Sequence, residues 1–148
     1  MRCLCYLSLL LACALGAPFS AVAENSTNAG GFTVHYNALS TANLTPGVAK
    51  AYGIKRSKHR GMLNVSVIKE KKGTLGTPIP ARVEAGIKAL IGRNARIPMR
   101  EIKDEDAIYY IGEFSIQNEE MVDFVITVTP EGTGEPFVVH MEQQFFTD

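Results

Sequence analysis

Apolar and polar side chains alternate residue by residue through most of this chain, and a period of two excludes most folds at once. In Phe32-Thr-Val-His-Tyr-Asn-Ala38 the apolar Phe32, Val34, Tyr36 and Ala38 fall on one side. Thr33, His35 and Asn37 fall on the other. Side chains of an extended strand point alternately to its two faces, so this is a strand with one face buried and one wet. The period recurs at Leu63, Val65 and Val67, and at Val83, Ala85, Ile87, Ala89 and Ile91. It returns at Ile108, Tyr110, Gly112, Phe114 and Ile116, at Val122, Phe124, Ile126 and Val128, and at Phe137, Val139 and Met141. Ile97–Ile102 makes a shorter seventh run. Val83, Ile87, Leu90 and Ile91 also fit a helical face, but Gly86 and the strict alternation favour a strand.

Turn-forming residues separate these runs: Lys72-Gly73-Thr74, Asp104-Glu105-Asp106, Gln117-Asn118-Glu119 and the Gly- and Pro-rich stretch Pro130–Pro136. About seven short strands at this spacing predict an all-β, antiparallel β-sandwich, immunoglobulin-like in outline. One short helix is expected at Pro46–Tyr52. Thr45 can cap it, Pro46 suits its first position, and Gly53 supplies the left-handed stop. Its length suits a crossover that plugs one end of the sandwich.

The first 23 residues read as an export signal. Arg2 gives a positive start, Leu4–Leu15 is apolar apart from Ser8, and Ala21-Val22-Ala23 places small side chains beside a cleavage site after Ala23. The run falls short of the ~20 residues of a permanent membrane helix, and no later segment approaches that length. The expected location is therefore periplasmic or secreted. Cys3, Cys5 and Cys13 all lie in this segment, so cleavage leaves a chain with no thiol and no disulfide. Leu10-Leu11-Ala12-Cys13 offers a second reading, in which Cys13 becomes a lipidated N-terminus; its middle Leu is atypical for such a site. Residues 24–31 (ENSTNAGG) are polar and Gly-rich and read as a flexible leader, leaving 32–148 as one domain.

A formal net charge of zero conceals a split. Lys50–Arg100 holds 13 Lys and Arg against Glu70 and Glu84, a net of +11. Residues 101–148 hold 12 Asp and Glu against Lys103, a net of −11. Two outcomes are open. Hairpins that each keep one sign make a dipolar domain suited to a charged partner; an interleaved topology makes opposite charges neighbours.

The densest basic cluster, Lys55, Arg56, Lys58, His59 and Arg60, with Lys50 nearby, is the candidate binding segment. Arg offers a planar fork to phosphate or carboxylate, and Lys a mobile point charge. The structural alternative is a solvated connection whose charges pair with the acidic half. His35, His59 and His140 with Met62, Met99, Met121 or Met141 can be imagined as a copper site, but no HxH, MxxM or HExxH spacing supports it. Asp104-Glu105-Asp106 lacks the spacing of a calcium loop. Asn25, Asn43 and Asn64 begin glycosylation-type triplets, a weak pattern. Glu113, Asp123 and Glu142 fall on expected strands, where convergence would pair carboxylates for glycoside hydrolysis; the alternative is the wet face of a half-buried sheet. No nucleophile elbow, phosphate loop or dinucleotide fingerprint occurs. Phe145 and Phe146 must point to opposite faces, which exposes one of them.

Phe32-Thr-Val-His-Tyr-Asn-Ala-Leu39, Leu44-Thr-Pro46, Ala51-Tyr-Gly-Ile-Lys-Arg-Ser57, Gly61-Met-Leu-Asn-Val-Ser-Val67 and Ala107-Ile-Tyr-Tyr-Ile-Gly112 carry a resemblance that spans essentially the whole exported part of the chain. It resembles a family of small secreted proteobacterial proteins known as domain of unknown function 4426. The resemblance implies an exported bacterial protein and brings no activity, cofactor or catalytic residue. The expectation is therefore a non-enzymatic binding or interaction module acting through charged faces or a strand edge. Its partner would be a protein or an anionic ligand; neither nucleic acid nor a cofactor is expected. A His/Met copper-handling protein is the second reading and a carboxylate-dependent hydrolase the third.

Overall fold

A computed structural model describes residues 25–88 and 94–148. The expected signal, its cleavage after Ala23, Cys13 and the Ala89–Ile91 end of one expected strand lie outside the described residues. Within them, no helix is long and apolar enough to cross a membrane. The described residues form ten strands in two antiparallel sheets. Their order is β1 (Asn25–Ala29), β2 (Phe32–Ser40), a 3-10 turn (Thr41–Asn43), α1 (Pro46–Ala51), β3 (Arg60–Lys69), β4 (Thr77–Pro78), β5 (Ala81–Lys88), β6 (Ala95–Ile97), β7 (Met99–Asp104), β8 (Ala107–Ser115), β9 (Glu120–Pro130) and β10 (Phe137–Phe145). Sheet A runs β1-β2-β3-β8-β7, with β4 beside the far end of β3; sheet B runs β10-β9-β5-β6.

The all-β sandwich is as the alternation requires, with more strands than the seven counted. Residues 25–29 are not a leader. They pair with β2 from Asn25↔Tyr36 to Ala29↔Phe32, and Gly30 and Gly31, both at positive φ (57° and 82°), close the hairpin. A two-residue turn matched to strand twist needs positive φ at both positions, so the Gly pair that resembled a linker is a hairpin signal. The expected seventh strand is two. Pro98 has no N–H to give to a ladder, and the chain changes sheets there: Ile97 pairs with Ala85 in sheet B and Met99 with Gly112 in sheet A.

The inward residues of the alternating runs make the core: Val34, Leu63, Val65, Val67, Phe124, Ile126 and Val128 are fully buried. Phe114, Phe124 and Phe145 meet edge to face, with centroids 5.0, 5.6 and 6.5 Å apart. Gly61 lies beneath Phe114, whose ring fills the space a Cβ would take. Tyr110 braces the two sheets. Its hydroxyl accepts the Ala81 N–H (2.8 Å) at the start of β5 and donates to Glu101 (3.0 Å) on β7.

The helix forms where expected. Thr45 Oγ1 accepts from the Val48 N–H, Pro46 begins the first turn, and Gly53 takes φ 64°. It does not plug an end of the sandwich. Ile54 of the following loop packs with Met62 and Ile111 on the outer face of sheet A, flanked by Leu39, Leu44, Tyr52, Ile102 and Tyr109. Those outward apolar residues interrupt the alternation, and the buried face they create draws the segment over the sheet rather than its end.

The charge split resolves into topology. Each sheet contains one seam between the halves: β3·β8 in sheet A and β5·β9 in sheet B. Arg60 pairs with Glu113 across the first (3.0 Å), and Lys88 stands opposite Asp123 across the second. β10 lies over β2 and Asn25 reaches Met141, while β6 lies over β8. Basic-half β6 of sheet B thus faces acidic-half β8 of sheet A, while β2, which β10 covers, carries no Lys, Arg, Asp or Glu. The β9–β10 hairpin keeps its sign, but the Leu63–Val67 and Val83–Lys88 segments belong to different sheets, so interleaving prevails.

Candidate functional site

The segment leading from α1 to β3 carries the sequence-predicted binding residues, and one buried threonine shapes it. Thr41 Oγ1 accepts the Ser57 N–H (2.9 Å) and shares its proton between the Lys55 and Ser57 carbonyls (3.0 and 3.1 Å). The loop is therefore pinned to the 3-10 turn. Within it Arg56 donates to the Ala42 carbonyl (2.9 Å), and Arg60 is engaged by Glu113. These two guanidinium groups serve the fold, leaving Lys55, Lys58 and His59 as exposed side chains of the cluster. Tyr52 ties the helix end to the sheet edge: its hydroxyl donates to Asp104 (2.8 Å), and Arg100 donates to its carbonyl. The bond to the Asp104 carboxylate, then burial, raise the Tyr52 hydroxyl above its ordinary pKa.

A second basic segment, Lys69–Lys72, was legible in the sequence only as a turn. β4 folds back along β3, with Ile68↔Pro78 and Lys69↔Thr77, and this seats the loop 70–76 beside the outer face of sheet A. The loop is structured. The Thr74 N–H and hydroxyl both reach the Lys71 carbonyl (3.0 and 2.9 Å), and Gly76 donates to Thr74 Oγ1 (3.1 Å). Gly76 sits at φ 79°, where any Cβ would strike the Lys69 carbonyl. Between this loop and β2 lies a groove of about 620 Å³, with Thr33, His35 and Ile68 on one side and Glu70, Lys71 and Lys72 on the other. Thr33 Oγ1 lies 2.9 Å from both Asn28 and Glu70 oxygens and shares its proton between them, which fixes the Glu70 carboxylate. Leu75 stands fully exposed on the loop.

Beside the groove, Asn37 and Asn64 face each other across β2 and β3. Their buried side-chain oxygens have no hydrogen-bond partner in the protein. Inside a strand, Asn64 is also no accessible glycosylation acceptor.

The other predicted chemistries do not assemble. His35 lies on the outer face of sheet A, His140 on that of sheet B, and His59 at the approach to β3. Met141 is in the core, Met62 lies under the helix segment, and Met121 is exposed on β9. Among the described residues, no group of three or more His, Cys, Asp or Glu lies together to hold a metal ion. Asp123 and Glu142 are direct cross-strand neighbours on the wet face of sheet B, while Glu113 is on sheet A with Arg60.

What the architecture defines is an all-β sandwich with one covered and one open outer face. The chain belongs to the DUF4426 family, a domain of unknown function whose family model matches residues 26–148. A solved DUF4426 family protein from Pseudomonas aeruginosa PAO1 is similar to it at 32% identity and a TM-score of 0.70, covering 84% of this chain and 96% of that one. The fold is also similar to FetP of uropathogenic E. coli strain F11, at 14% identity and a TM-score of 0.59, over 84% of this chain and 94% of FetP. A copper-bound variant of FetP gives 11% identity and a TM-score of 0.60, over 84% and 96%. No curated protein matches the chain.

Proposed function

We propose that this protein is a non-enzymatic, exported binding module that takes an anionic ligand or acidic protein segment in the groove on sheet A. The observation that carries the reading is the placement of Lys71 and Lys72 on a hydrogen-bonded loop that lines, with His35 and Thr33, a groove of about 620 Å³. The two mobile ammonium groups outnumber the single Glu70 carboxylate beside them and suit carboxylate, sulfate or phosphate groups. Lys55, Lys58 and His59 lie apart from the groove, at the other end of the β2–β3 pair beyond Ser40↔Gly61, with Arg56 and Arg60 holding that loop in shape. Export is supported by the signal-like first 23 residues and by likeness to FetP, which was expressed in the periplasm. The open placement of Asp123 and Glu142 favours binding over hydrolysis.

The test uses a fluorescent heparin oligosaccharide as an anionic probe, read by anisotropy. Affinity should fall steeply with added salt, because exposed charges are screened within about 8 Å at physiological ionic strength. Lys71→Ala with Lys72→Ala should weaken binding at least about tenfold, the equivalent of ~1.4 kcal/mol. Retention indifferent to salt and to both substitutions would overturn the reading.

Copper handling is the second reading, favoured by the likeness to a protein solved with copper bound. The donor set does not favour it: among the described residues the three His stand on separate surfaces, and no three of His, Cys, Asp or Glu lie together. It would require stoichiometric copper uptake that disappears with His35→Ala or His140→Ala.

A further inference from the structure

A sheet edge presents a row of backbone donors and acceptors ready to pair with another strand, and most edges carry features that prevent it. Of the four strands that end the two sheet orders among the described residues, three do. β1 has five residues and β6 three. β7 (MREIKD) carries Arg100, Glu101, Lys103 and Asp104. β10 (FVVHMEQQF) is different: nine residues, no Lys, no Pro, and unbroken register with β9 from Phe137↔Val128 to Phe145↔Glu120. Among the described residues, β9 is its only strand partner.

Its outward side chains are Val138, His140, Glu142 and Gln144, followed by Phe146. Val138 is 53% and Phe146 64% exposed. This order is self-complementary when the strand is laid antiparallel against itself about Met141. His140 then stands opposite Glu142 of a second copy, and Glu142 opposite the second copy's His140. An imidazole offers a ring N–H to a carboxylate in either protonation state. Val138 faces Gln144, with Phe146 on the diagonal, close enough for an aromatic ring to cover it. A slide of two residues one way sets His140 against His140, and the other way Glu142 against Glu142. Of these three registers, only the one about Met141 avoids both like pairings.

We propose that the exported protein forms a two-fold dimer in which β10 pairs antiparallel with β10 of a second copy about Met141. Sheet B becomes one continuous eight-stranded sheet. The contact is isologous, so it closes at two copies and does not propagate. It leaves the groove on sheet A open, and it stands whether or not that groove binds anions.

The experiment is light scattering and sedimentation equilibrium on residues 24–148, with thermal melts confirming that each variant folds. The wild-type chain should be dimeric. His140→Glu creates two Glu–Glu oppositions and Glu142→Lys two Lys–His oppositions. Each should raise the dissociation constant at least about tenfold, the first by placing carboxylates directly opposite one another and the second by removing the carboxylate that accepts the imidazole N–H. Combining His140→Glu with Glu142→Lys reverses the pair and should restore the dimer. A wild-type monomer at every soluble concentration would overturn the proposal. So would a dimer unaffected by either single variant, or a double variant that stays dissociated.

Discussion

Replacing Gly61 by alanine probes how tightly the aromatic centre of the sandwich is built. The Phe114 ring occupies the site of the missing Cβ, and Phe114 cannot step aside because it meets Phe124 at 5.0 Å and Phe145 at 5.6 Å. Forcing a methyl group into such a core costs ~1–3 kcal/mol. Reduced freedom of the unfolded chain returns ~0.4–1 kcal/mol when Gly becomes Ala at an ordinary backbone conformation. The net expectation is a loss of ~1–2 kcal/mol, or roughly 3–8 °C in melting temperature for a domain of this size. Guanidinium denaturation should show a lower midpoint with an unchanged slope, the mark of altered stability rather than altered compactness. Phe114→Leu removes the obstructing ring edge at its own cost in packing. In the Gly61→Ala, Phe114→Leu double variant the alanine penalty should largely vanish, giving a coupling of ~1 kcal/mol or more. A Gly61→Ala loss below ~0.5 kcal/mol, or strictly additive effects, would refute the packing argument.

Other expectations follow from individual bonds. Tyr110→Phe leaves the Ala81 N–H without its acceptor and should cost ~1–3 kcal/mol by denaturant titration. The same change alters the acid limb of stability. Bonds from Tyr110 and then Lys103 hold the Glu101 carboxyl below its ordinary value of 4.5. Its contribution is thus fully present above that value and is lost as pH falls through the lower folded one; Tyr110→Phe should make that loss shallower in acid titrations. At the alkaline end, burial and then Glu101 raise the Tyr110 hydroxyl, against the lowering effect of the Ala81 N–H. That stability is intact below the unfolded tyrosine value of 10.0 and disappears as pH climbs through the raised one. Thr41→Val removes the pin of the basic loop. It should cost ~1–3 kcal/mol and speed proteolysis between Gly53 and Lys58, and unchanged cleavage rates would count against the pin. Converting Gly30 and Gly31 together to alanine places two side chains at positive φ, at ~1–2 kcal/mol each, and hydrogen exchange should quicken first in β1.

The strands were legible because each long run buries one face, so Val34, Val65, Phe124 and Val128 announce the core by position alone. Turn residues placed the loops, and Thr45-Pro46 with Gly53 bracketed the helix. The failures have specific causes. Asn25–Ala29 is an edge strand with little to bury, so no alternation marks it; Gly30-Gly31 was its one signal. Ile97–Ile102 read as one strand across Pro98 because sheet switching is a tertiary event. The groove escaped notice because Lys71 and Lys72 acquire meaning only when the two-residue β4 turns their loop back beside β2. Conversely, Arg56 and Arg60 looked like ligand-binding residues because sequence does not show the Ala42 carbonyl or Glu113 that engages them.

The two seams bear on how the sandwich comes into being. Each sheet is completed only when a basic-half strand meets an acidic-half one, β3 with β8 and β5 with β9. A break in the chain near residue 100 would yield two fragments, neither holding a complete sheet, with net charges of opposite sign over residues 50–100 and 101–148. Such pieces are natural partners for reconstitution, drawn together faster at low ionic strength. In a chain synthesised N-terminus first, the same arrangement imposes a wait. β3 and β5 stand with open edges, exposed to wrong pairing, until the last third of the polypeptide arrives.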